Sequence, residues 1–139
     1  MNIKYIISYS GLIPFFYLII DGYFLGYLNL KFINDLAIFM SCIIFTFIGA
    51  YNWDFRKDNI YLEIYGFLPS LFSMIVLFLN LIEYNQVLIF NLLIILFLIQ
   101  LSIDLFLSLK NYFPIDYFIK LRIPITSSLS LSLLFISKL

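Results

Sequence analysis

Gln100 and Asp104 stand out as polar residues within the apolar run from Val87 to Leu107. Their spacing of four places both side chains on one face of a helix. Arg122 lies near the start of the next apolar run, and Thr126 follows it one turn later. A carboxylate and a guanidinium at neighbouring helix ends can form a bidentate, charge-assisted pair, and a glutamine one turn away could orient it. The connection carrying Asn52, Trp53, Asp54 and Arg56 returns to the same end of the chain's alternating path. These residue types suit a polar clasp between helix ends first. Next comes binding of an anionic headgroup or a partner, and catalysis comes last. Histidine is absent and Cys42 is the only cysteine, so no imidazole or Cys–His pair can move protons near neutral pH. The same absences exclude disulfides, His-held haem and the usual zinc ligand sets. No cofactor and no metal are expected.

What must position these residues follows from composition. The chain has 139 residues, 64% of them apolar, 21% aromatic and 12% charged. An ordinary soluble domain is roughly 25% charged and about half apolar, so neither a water-facing globule nor a disordered chain fits. The formal net charge is zero, which offers no basic surface to nucleic acid. Isoleucine, leucine and phenylalanine are abundant, with asparagine, tyrosine and lysine beside them, whereas alanine and valine are scarce. That coding bias points to an AT-rich bacterial or organelle genome.

A membrane-crossing helix needs about 20 apolar residues. Five runs qualify: Tyr5 to Gly26, Asp35 to Trp53, Tyr61 to Ile82, Val87 to Leu107 and Phe118 to Ser137. They are apolar on all sides and so do not read as barrel strands. The first lacks a small-residue cleavage site after it and reads as a retained helix. The expected fold is therefore all-α: an integral membrane bundle of five transmembrane helices forming one domain, residues 1–139. With alternating spans, Lys4, Arg56, Lys57, Lys110, Lys120 and Arg122 fall on one side, and Lys31 and Lys138 on the other. Six against two predicts the N-terminus inside and the C-terminus outside.

Small residues let helix backbones approach in lipid. Such rows occur as Gly22 and Gly26 in the first run, as Cys42, Thr46 and Ala50 with Ser41 and Gly49 in the second, and as Gly66, Ser70 and Ser73 in the third. The fifth carries Ser128 and Ser132. The fourth has no such row, which places it at the edge or packs it through large side chains. Pro14, Pro69 and Pro124 each free a carbonyl one turn earlier, to be met by neighbouring helices or hydroxyls. Gly11-Leu-Ile-Pro14 and Gly66-Phe-Leu-Pro69 share a pattern, each with a tyrosine just before it, Tyr9 and Tyr65. They are a weak sign of a two-helix repeat. Asp21 and Glu83 read as solvated carboxylates near the outer face. Asp35 reads as the N-terminal cap of the second helix.

Several of these stretches together resemble the membrane-protein family grouped as domain of unknown function 3429, which includes transmembrane protein 69. The shared features are Gly11-Leu12-Ile13-Pro14-Phe15, Phe47-Ile48-Gly49-Ala50-Tyr51-Asn52-Trp53, Pro69-Ser70-Leu71, Gln100 with Asp104, and Arg122 with Thr126. They fall in family order across all five runs. Asn52 stands where that family usually has histidine. Asparagine can hydrogen-bond but cannot titrate, so the departure argues for structure or binding over chemistry.

These readings converge on a non-enzymatic inner-membrane protein, a lipid- or partner-binding accessory or assembly factor. Its expected site comprises Asn52, Trp53, Arg56, Gln100, Asp104, Arg122 and Thr126. Membrane lipids and a second membrane subunit are the expected partners. The bacterial cytoplasmic membrane is the expected location, with the mitochondrial inner membrane as the alternative. A small transporter or channel for a proton, ion or metabolite is the competing reading, motivated by the prolines and the serine-rich fifth run.

Overall fold

The apolar runs fold as five helices in the computed structural model, which describes residues 3–51, 60–110, 112 and 114–139. The five are α1 (Tyr5–Leu25), α2 (Leu30–Ala50), α3 (Ile60–Leu81), α4 (Gln86–Leu109) and α5 (Ile115–Ile136). Each is long and apolar enough to cross a membrane. At ~1.5 Å per residue the shortest reaches about 31 Å, close to the ~30 Å of a hydrocarbon core. No strand occurs among the described residues.

The helices run alternately up and down, and α2 lies at the centre, touching each of the other four. The α2–α3 contact is the most extensive, and its chemistry explains why. Gly49 has no side chain, and a Cβ there would stand 2.5 Å from Pro69 Cγ and 3.0 Å from the Gly66 carbonyl oxygen. Above it, Thr46 Oγ1 donates to Ser73 Oγ (3.0 Å), and Ser73 Oγ donates to the Cys42 carbonyl (3.1 Å). The small residues thus bring two backbones together and add hydroxyl bonds across the seam, the pattern that works in lipid. Helix α4 packs through large side chains instead. Ile89, Phe90, Leu93, Leu96 and Phe97 are buried at helical spacing, and Phe97 meets Phe45 edge-to-face with centroids 5.5 Å apart. The outer faces stay apolar: Phe24, Phe47, Met74 and Leu81 are all exposed.

Two helices carry a wide turn, in which a backbone N–H reaches five residues back. In α1 it covers Asp21–Leu25, and Gly26 N donates to the Asp21 carbonyl at 2.7 Å. In α5 it covers Phe118–Arg122, and Ile123 N donates to the Phe118 carbonyl. The second wide turn immediately precedes Pro124, which has no N–H for the Lys120 carbonyl. Tyr9 of α1 supplies that missing donor, its hydroxyl 2.6 Å from the Lys120 oxygen. Pro14 and Pro69 behave differently from each other. Helix α1 breaks at Gly11–Leu12 just ahead of Pro14, whereas α3 runs unbroken through Pro69. The shared four-residue pattern therefore does not produce a shared backbone.

Several expectations are corrected. Helix α2 starts at Leu30, because the Asn29 side chain accepts from Phe32 N at 2.7 Å and caps it there. Asp35 is thus not the cap. It sits a turn inside and accepts from Asn80 Nδ2 at 2.9 Å. Asp21 is not a solvated carboxylate. It is fully buried, and its Oδ2 accepts from Leu28 N at 2.8 Å, tying down the connection between α1 and α2. Gly22 and Gly26 do not form a helix-packing pair. Leu139 packs where a Gly22 side chain would stand, and Gly26 ends the helix at φ 66°, with open space beside it. That left-handed geometry is the one glycine adopts without steric cost.

Candidate functional site

The polar side chains gather at the two ends of the bundle. At one end, α2 presents Lys31, Asn34 and Asp35 from one face to the α3–α4 hairpin. Lys31 Nζ bonds Glu83 Oε1 (2.5 Å), Asn34 Nδ2 bonds Gln86 Oε1 (2.8 Å), and Asn80 bonds Asp35. Glu83 is exposed, and the ammonium of Lys31 holds its carboxyl below the usual carboxylate range. Its φ of 54° lies in the left-handed region. Tyr84 N donates to the Leu79 carbonyl and Glu83 N to the Asn80 carbonyl, which closes α3 with a Schellman turn. This end is a fastening of the hairpin to α2.

The other end holds the candidate site. Asp104, on the inward face of α4, is paired with Arg122 of α5. Arg122 Nε donates to Asp104 Oδ2 at 2.6 Å, and Nη2 donates to the same oxygen at closer range. The side chains are 5% and 7% exposed for Arg122 and Asp104. The wide turn of α5 makes this burial workable, bringing Phe118, Leu121 and Arg122 inward together. A third helix joins the pair. The Tyr65 hydroxyl of α3 lies 2.9 Å from Asp104 Oδ1 and 3.3 Å from the Gln100 carbonyl oxygen. The aspartate thus takes donors on both oxygens from two helices, α3 and α5, which fixes its position.

The expected residues are only partly brought together. Asp104 and Arg122 meet. Gln100 is buried but does not orient the pair; its Nε2 donates to the Phe45 carbonyl of α2 at 3.4 Å. Thr126 is buried one turn deeper on α5. Gln100 Oε1, Thr126 Oγ1 and Ser130 Oγ are buried without a hydrogen-bond partner. Asn52, Trp53 and Arg56 lie outside the described residues. Tyr65 is the participant that sequence reasoning missed. Its signal was present, since it is a hydroxyl about one turn into α3 at the end where Asp104 sits.

The pair borders a small cavity of about 10 Å³ that also touches Tyr51, Ser108 and Tyr117, room for about one water. The rings of Tyr51 and Tyr117 stack with centroids 5.1 Å apart. Beyond them opens a groove of about 430 Å³ between α1, α2 and α5, which Arg122, Tyr51 and Tyr117 also line. The groove is otherwise almost wholly apolar. The described residues hold no cluster of three or more potential metal-ligating side chains. Comparisons with protein-family models, curated proteins and solved structures return no match.

Proposed function

We propose that this chain is a five-span membrane protein, N-terminus inside and C-terminus outside, that binds lipid or a partner subunit without catalysing a reaction. The length and apolar exterior of all five helices support insertion, and the six-to-two bias of lysine and arginine supports the orientation. The bacterial cytoplasmic membrane is the proposed setting, with an accessory or assembly role. A relationship to the domain of unknown function 3429 family, supported by the ordered motifs, belongs to the same proposal.

The observation that carries the binding reading is the join between a closed ion pair and an open apolar groove. The Asp104–Arg122 pair holds α4 to α5 beside a cavity with room for about one water, while the neighbouring groove falls in the roughly 300–1,000 Å³ range of small-molecule sites. Purification in mild detergent tests this. Retained lipid or a stoichiometric partner is expected, and a clean monomer carrying neither would contradict it.

The buried, unpartnered oxygens of Gln100, Thr126 and Ser130 favour the competing reading, a small transporter whose polar path begins at the ion pair. Flux in proteoliposomes that disappears in Asp104→Asn and Arg122→Gln would support transport. Absence of flux in the folded wild type would exclude it.

A further inference from the structure

We infer that the groove between α1, α2 and α5 holds a single acyl chain of an acidic lipid from the inner leaflet, with the phosphate or carboxylate of the headgroup on Arg122. The inference rests on the lipid-binding reading above and names the ligand class for that site.

Three features of the groove point to this occupant. The first is its shape. Along α2 it extends from Tyr51 to Met40, eleven rises of ~1.5 Å, or about 17 Å. That depth matches half of a ~30 Å hydrocarbon core, the reach of one leaflet's chain.

The second feature is its polarity. Its walls are Ile7 and Leu12 of α1, Ile44 and Phe47 of α2, and Leu121 and Ile125 of α5. Its charged residue, Arg122, sits at the end nearest the helix termini. Asp104 Oδ2 takes Nε and Nη2 of that guanidinium. The pairing fixes the guanidinium plane and leaves the Nη1 edge outside the ion pair. A guanidinium held rigid in this way recognises an anionic oxygen at low entropic cost.

The third feature is the origin of the gap. Ser8, Gly11 and Leu12, which line the groove, lie at or just before the break in α1 ahead of Pro14. At Gly11 the nearest atoms to an added Cβ would be the Ser8 carbonyl at 3.3 Å and Ile44 Cδ1 at 3.9 Å. The missing side chain therefore keeps the wall thin on the groove side. Tyr9 meanwhile ties the same stretch of α1 to α5 through the Lys120 carbonyl. The interruption thus lies in the groove wall, and the tyrosine ties that wall to α5.

Native mass spectrometry of the full chain in mild detergent tests the inference. The probes are dioleoyl phosphatidylglycerol, dioleoyl phosphatidylcholine and oleate, offered at equal concentration. The wild type should retain one equivalent of phosphatidylglycerol or oleate at least tenfold over phosphatidylcholine. Preference between the first two identifies the source as phospholipid or free fatty acid. Gly11→Leu and Ile44→Phe, which fill the groove, should lose that retention about tenfold. Ala50→Leu, which lines the separate α2–α3 groove, should keep it. A phosphatidylglycerol carrying a diazirine in its acyl chain should crosslink to wild-type peptides around Ile44, a readout that needs no variant. Equal retention of phosphatidylcholine, or crosslinks confined to α3 and α4, would overturn this inference while leaving general lipid binding in place. Retention of no lipid by any form would overturn both.

Discussion

Breaking the Asp104–Arg122 pair from one side should cost far more than removing it whole. The two side chains are 5% and 7% exposed, for Arg122 and Asp104 respectively, so water replaces little of what each charge gains from the other. Arg122→Met strips Asp104 Oδ2 of both guanidinium donors, while Tyr65 continues to serve Oδ1. Asp104→Leu leaves the guanidinium facing an aliphatic group. Removing one partner of a buried pair typically costs about 3–5 kcal/mol, whereas replacing both with apolar residues of similar volume is close to neutral. Each single substitution should therefore shift the folding equilibrium by roughly two to nearly four decades. The double variant Asp104→Leu/Arg122→Met should fall within about 1 kcal/mol of wild type, so the coupling should reach at least about 5 kcal/mol. Neutral interhelical hydrogen bonds in lipid average only about 0.6 kcal/mol, which sets the threshold between a true ion pair and an incidental contact. Reversible unfolding in mixed micelles of dodecyl maltoside and dodecyl sulfate, followed by far-UV circular dichroism, measures all four corners of the cycle. A coupling at or below about 0.6 kcal/mol would refute the reasoning.

Four further outcomes are expected in the same assay or its thermal counterpart. Tyr65→Phe removes a hydrogen bond to a buried carboxylate and should destabilise by about 1.5–3 kcal/mol; a change under about 0.5 kcal/mol would show that Asp104 does not use that hydroxyl. Gly49→Ala drives a Cβ against the rigid ring of Pro69 and should cost about 1–3 kcal/mol through overpacking, whereas Ala50→Leu on the exposed side should be tolerated. Tyr9→Phe leaves the Lys120 carbonyl without its hydroxyl donor and should cost about 1 kcal/mol, with the loss localised by faster amide exchange around Pro124. Glu83 has a carboxyl pKa lowered by Lys31, so its stabilising effect is present above the unfolded value of ~4.3 and is lost as pH falls through the lower folded value. The melting-temperature difference between wild type and Glu83→Gln should shrink below about pH 4, and a difference that grows there would contradict the sign.

The spans were legible because hydropathy alone sets them, but their ends were less so. Asp35 looked like a start because the polar residues Lys31 and Asn34 before it read as a loop. In the fold those side chains are spent on the α3–α4 hairpin, and Asn29 caps the helix earlier. The Asp104–Arg122 pairing was readable from helix alternation and the scarcity of charge. The role given to Gln100 was not, because one-turn spacing fixes the face of a residue but not which neighbouring carbonyl it reaches. Tyr65 was read only as the tyrosine preceding Gly66-Phe-Leu-Pro69, because nothing in the sequence places α3 beside Asp104. Asp21 was misread because a wide turn followed by a left-handed glycine folds the chain back over it, and neither feature leaves a periodic signal. The apolar groove adjoins the interruption in α1 that the sequence marked with Gly11 and Pro14. The same marks at Gly66 and Pro69 leave α3 unbroken, so their local pattern does not decide the outcome.

The central claim is that the ion pair and the head of the groove lie at the inward-facing end of an inserted five-span bundle. Single cysteines at Glu83, Lys110 and Lys138, each in a Cys42→Ser background, test it when probed with a membrane-impermeant maleimide on intact spheroplasts and again after permeabilisation. Positions 83 and 138 should label on intact spheroplasts, and position 110 only after permeabilisation. Labelling of position 110 on intact spheroplasts, with 83 and 138 protected, would invert the bundle and contradict the claim.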